Sequence, residues 1–163
     1  MGLSDVSNIL WRERQLMELL LFKLEEEQLV LASGRDRWLA HATREVETVL
    51  QEIKHVELDR AVAVESVGAD LGLTESPSLR ALAEHAAGPW GRIFEEHRKA
   101  LLDLAAEIDT MAAANRDLLT RGAIAAREAL VALGDVDGAT DTYTPRGIER
   151  DAVNRIGLIN EAI

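Results

Sequence analysis

Glu52 and His55 stand three residues apart, the spacing at which a helix presents a carboxylate and an imidazole on one face, as di-iron bundles do. A di-iron centre needs a second such pair and two further inward carboxylates. The residues three before His41, His85 and His97 are Trp38, Leu82 and Phe94, so no second pair exists. Ile53 and Val56 carry the apolar rhythm there, which leaves Glu52 and His55 as surface residues. Asp135-Val-Asp137-Gly138 hints at a calcium loop, but the next two ligand positions would be Ala139 and Asp141, and the twelfth is Arg146 where glutamate is required. It reads as a polar turn. Serine, threonine and histidine show no nucleophile spacing, and no glycine loop is built to cradle phosphate. Cysteine is absent from all 163 residues, which excludes disulfides, thiol catalysis and zinc-thiolate sites. The expectation is no metal, no cofactor and no enzyme.

The net charge is −11. An acidic chain repels phosphate backbones and anionic lipid surfaces, so neither nucleic acid nor membrane is an expected partner. The amino terminus shows no basic region followed by an apolar run, and the densest apolar window, Leu16 to Leu24, is broken by Glu18 and Lys23. A soluble cytoplasmic protein is expected.

What remains is a pattern of surfaces. Three stretches place apolar residues at alternating steps of three and four, the rhythm of helices packed nearly parallel. They are Leu3, Val6, Leu10, Met17, Leu20, Leu24, Leu31; then Leu39, Ala42, Val46, Val49, Ile53, Val56, Ala63, Val67; then His97, Leu101, Leu104, Ile108, Met111, Asn115, Leu118, Gly122, Ala125, Ala129. Glu13, Glu27 and Arg60 interrupt the rhythm. Asn115 reads as a buried polar group that fixes register, the alternative being a ligand contact. Glu25-Glu26-Glu27 reads as a solvated face. Trp11, Trp38 and Trp90, near helix ends, read as packing anchors.

The fold class is therefore all-α: an elongated antiparallel bundle of three long helices with coiled-coil-like packing. Ser4 or Asp5 caps the first helix, about residues 4–32, which Gly34 closes. Asp36 caps the second, about 36–71, after a turn short enough to force an antiparallel hairpin. Ser76 and Pro77 open a short helix over 77–86. Pro89 opens the third long helix, about 89–133, which Gly134 ends. At about 1.5 Å per residue the three span roughly 45, 53 and 67 Å, so the third overhangs its neighbours. Residues 134–147 form a loop, and 148–163 form an amphipathic tail helix with Ile148, Ile156 and Ile159 on one face.

Leu10-Trp11-Arg12-Glu13-Arg14 and Leu19 through Glu27 resemble the start of actinobacterial flagellar export chaperones of the FlgN type. Asn115-Arg116-Asp117-Leu118-Leu119, followed by Thr142-Tyr143-Thr144-Pro145-Arg146-Gly147, resembles that family's closing pattern, an asparagine-bearing helix leading to a Thr-Tyr-x-x-x-Gly loop. The resemblance implies a cytoplasmic type III secretion chaperone that binds hook-associated junction proteins, prevents their terminal helices from assembling early, and releases them at the export apparatus. No nucleotide, metal or catalysis belongs to that role.

The physics agrees with it, because a groove with apolar anchors at helical spacing receives an amphipathic helix. The expected partner-binding residues are Leu118, Leu119, Ile124, Leu130, Val131 and Leu133 on the overhang, Ile148, Ile156 and Ile159 on the tail, and Tyr143 as a docking residue between them. The competing expectations are that these residues complete the chain's own bundle or a homo-oligomer, that the chain is a structural coiled-coil adaptor without a link to secretion, or that it is a metal-binding bundle enzyme.

Overall fold

The apolar seams fold as an all-α bundle. In the computed structural model, which describes residues 2–73 and 76–134, the elements are α1 (Leu3–Ser33), a 3-10 turn (Asp36–Trp38), α2 (Leu39–Asp70), α3 (Leu79–His85) and α4 (Trp90–Ala132). There is no strand among the described residues. The expected tail helix, with Ile148, Ile156 and Ile159, and Tyr143 lie outside the described residues.

α1 is the axis of the bundle. α2 and α4 each pack along it and scarcely touch one another. Side-chain pairs set the directions. Lys23 with Glu45, Glu27 with Thr43 and Glu13 with Arg60 run α2 antiparallel to α1. Ser7 with His97 and Glu27 with Asn115 run α4 parallel to α1, so that residue i of α1 lies beside a residue about ninety further along. The core holds Val6, Leu10, Met17, Leu20 and Leu24 of α1, Val46, Val49, Ile53, Val56 and Val67 of α2, and Phe94, Leu101 and Ile108 of α4. α3 closes the end of the bundle near the start of α1, where Leu79 and Leu82 are fully buried. Two glycines permit the close approach of α3. A Cβ on Gly91 would sit 2.7 Å from the Ala83 carbonyl oxygen, and one on Gly68 would enter the Pro77 ring.

The helix starts differ from the expected caps. α1 is capped by Gly2, whose N–H donates to Asp5 Oδ2 at 2.8 Å, so Asp5 serves from inside the first turn and Ser4 does not cap. Asp36 begins the 3-10 turn and accepts no capping bond. Ser78, not Ser76, caps α3, its Oγ accepting from Ala81 N at 3.1 Å. Gly34 and Gly134 take positive φ of 66° and 76° at the two helix ends where left-handed residues end helices cheaply.

Side-chain burial also corrects two readings. Trp38, 48 % exposed, does not anchor the core, whereas Trp11, though 51 % exposed, meets the buried His97 of α4 edge-on with ring centroids 5.1 Å apart, and Trp90 is half-buried and stacks on Phe94 with ring centroids 5.9 Å apart. Glu27 is buried, unlike the solvated Glu25 beside it, because it falls on the seam.

Candidate functional site

The register fixes where the bundle stops. Asn115 of α4 donates through Nδ2 to the Leu24 carbonyl at 2.9 Å and to Glu27 Oε2 at 3.1 Å, and Thr43 of α2 donates to Glu27 Oε1 at 2.9 Å. This polar layer ties three helices together one to two turns below the end of α1. A buried carboxylate is tolerable there because both of its oxygens are hydrogen-bonded. The layer is the register-fixing role expected of Asn115.

Above it α4 continues without a packed neighbour among the described residues. Leu118 and Leu119 are half-buried, and every residue from Thr120 to Gly134 is exposed. α1 ends at Ser33, level with about residue 123 of α4, so the last nine or so residues project about 14 Å past the bundle. Gly122 does not break the helix, and among the described residues nothing lies within 4 Å of where its Cβ would stand. The projection carries Ile124, Leu130, Val131 and Leu133 at 53, 47, 55 and 80 % exposure. At about 100° per residue Leu119, Leu130 and Leu133 prolong the stripe that is buried lower down, while Ile124 and Val131, seven apart, share a second line more than about 90° away. The structure thus brings six of the expected partner-binding residues onto one helix end, five of them in two apolar lines and Leu118 outside both.

The chemistry-bearing groups elsewhere are occupied structurally. Glu52 and His55 are exposed, and His55 Nδ1 donates to its own helix at the Gln51 carbonyl, 2.7 Å away. No group of three potential metal ligands occurs among the described residues. Ser7 Oγ lies 3.2 Å from His97 Nε2, but Nδ1 of this histidine has no hydrogen-bond partner among the described residues, so nothing orients the ring as a base. Burial, and secondarily the Arg14 charge, push its pKa below the usual value, keeping it neutral at pH 7.

Sequence reasoning noted Glu13 and Arg60 only as interruptions. Both are buried, and they face each other across α1 and α2, Oε2 to Nε at 3.4 Å. The signal was present in the spacing: Glu13 sits between Leu10 and Met17, and Arg60 between Val56 and Ala63, each at a core position of its seam. Burial raises the Glu13 carboxyl to about 7 against the pull of Arg60, with Glu57 adding to the rise.

The FlgN protein family model matches residues 1–150. The chain belongs to the FlgN family of flagellar export chaperones. No curated protein and no solved structure matches it. FlgN proteins form a chaperone family that serves flagellum assembly through type III secretion. No helix among the described residues is long and apolar enough to cross a membrane.

Proposed function

We propose that this FlgN protein is a cytoplasmic chaperone for hook-associated proteins of the hook–filament junction, and that it receives their terminal helical segments on the projecting end of α4. The observation that supports this reading is the pair of exposed apolar lines from Leu119 to Leu133 beyond the last packed layer of the bundle. Terminal helices that pair in an assembled filament expose apolar faces when free, and a helix end with anchors at steps of three, seven and eleven covers such a face. A single captured helix buries on the order of 800 Å² on each partner. Ordering the captured segment limits the affinity, which suits a cargo that is handed on to the export apparatus. Tyr143 is assigned the docking role, to cargo or to the export apparatus, and Ile148, Ile156 and Ile159 are assigned to the same apolar surface.

Co-expression with candidate junction proteins, followed by size exclusion, tests the reading. The expected result is a soluble complex that is lost when the terminal helix of the cargo is removed. A complex indifferent to that helix, or none with any junction protein, contradicts it.

A further inference from the structure

A helix that is apolar all round needs neighbours all round. The middle of α1 is such a helix. α2 and α4 cover the sides that carry Leu16, Met17, Leu20 and Leu24. Its third side is open, with Trp11, Leu19, Phe22 and Leu29 exposed by 51, 40, 53 and 71 %. At about 100° per residue Trp11, Phe22 and Leu29 lie within about 20° of a single line, with Leu19 beside it. The stripe is about 27 Å long and, apart from the Trp11 ring that meets His97 of α4 edge-on, faces away from the seam that α1 shares with α2 and α4.

Charge is polarised along this stripe. Arg12 and Arg14 stand at its Trp11 end, and Glu25 and Glu26 stand between Phe22 and Leu29 at the other, where Lys23 reaches over the Phe22 ring and pairs with Glu26 at 2.9 Å, leaving Glu25 as the excess charge. The Arg14 guanidinium carbon lies 4.3 Å from the Trp11 ring centre, and its buried Nε has no hydrogen-bond partner among the described residues. Glu25 is exposed and makes no ion pair there either.

We propose that a second copy of this chain covers the stripe, with the two α1 helices antiparallel across a two-fold axis. Such an interface must complement itself. A stripe basic at one end and acidic at the other does so: Trp11 of each copy meets the partner's Leu29, and Arg14 meets the partner's Glu25, Glu26 being held by Lys23 of its own chain. A foreign helix would need no such internal polarity. Gln15 and Glu18 lie within the stripe and remain polar, so the dimer is weak, with a dissociation constant on the order of micromolar. The stripe shares no residue with the projecting end of α4, so dimerisation and cargo capture succeed or fail separately.

Sedimentation equilibrium of the full chain without cargo tests this. The wild type is expected to dimerise at tens of micromolar. Phe22→Glu, Arg14→Glu and Glu25→Arg should each weaken the dimer at least about tenfold, and the Arg14→Glu/Glu25→Arg double variant should recover most of the loss. Circular dichroism of each variant checks that the helices are intact. A wild type that stays monomeric at about 100 µM overturns the proposal. So does an undiminished dimer in Phe22→Glu, or a charge-exchanged double variant no better than its parents.

Discussion

Glu13 Oε2 lies 3.4 Å from Arg60 Nε, with both side chains sealed inside the bundle. This pair joins α1 to α2 within the apolar core, with Glu57 of α2 near enough to act on the same carboxyl. Two charges out of water gain little net stability from each other, because desolvation offsets the attraction. Replacing both by leucine is expected to leave stability unchanged or to raise it by about 1–4 kcal/mol, while Glu13→Leu alone strands the arginine and costs about 3–5 kcal/mol. Urea unfolding of the three proteins checks this, and a double variant as weak as the single would contradict it.

The same carboxyl gives the bundle a pH dependence. Its folded pKa, about 7, lies above the usual 4.5. The folded state therefore holds a proton that the unfolded chain has released. The stabilisation is complete below about pH 4.5 and is lost as pH rises towards 7, by roughly 3 kcal/mol at most. Melting temperatures of wild type and Glu13→Gln across pH 4.5 to 7.5 should diverge in slope, the wild type falling more steeply. Parallel curves would contradict the assignment to Glu13.

Asn115 is expected to govern register. Asn115→Leu removes the bonds to the Leu24 carbonyl and to Glu27 and should cost about 1–3 kcal/mol. Amide exchange resolved along α1 and α4 should show the protection loss centred near Leu24 and Leu118. A uniform loss along both helices would point to general packing instead.

Two glycines of α4 should respond in opposite senses. Gly91→Ala drives a Cβ to 2.7 Å from the Ala83 carbonyl and should cost about 1–3 kcal/mol by parting α3 from α4. Gly122 lies in an exposed helix with open space around it, so Gly122→Ala should favour the helix by up to about 1 kcal/mol. The first is read from the melting temperature. The second is read from exchange rates beyond residue 120, because that stretch opens without unfolding the bundle.

The seams made the fold legible. Steps of three and four marked the core faces of α1, α2 and the first half of α4, and the glycines at 34, 88 and 134 marked breaks where positive φ was needed. The overhang followed from simple lengths, since α4 has 43 residues against 31 and 32 in α1 and α2. What tertiary neighbours decide was not legible. Ser76 and Ser78 are equal candidates as caps until α3 docks on α4. Glu27 looks like its neighbours in a run of glutamates until the seam turns it inward. Trp38 reads as an anchor until the turn between α1 and α2 leaves it half exposed, while Trp11 keeps only the edge contact with His97. The division of the overhang into two apolar lines likewise depends on where the register layer at Asn115 places the last packed turn.

The claim on which the account rests is that the unpaired end of α4 receives the cargo helix. The direct measurement is titration of a fluorescently labelled terminal-helix peptide from a junction protein into wild type and into an Ile124→Asp/Leu130→Asp variant. Both positions are half exposed or nearly so, so the variant should melt within about 0.5 kcal/mol of wild type. The account predicts that peptide affinity falls at least about tenfold, about 1.4 kcal/mol or more. An unchanged affinity in a variant that melts like wild type would contradict it.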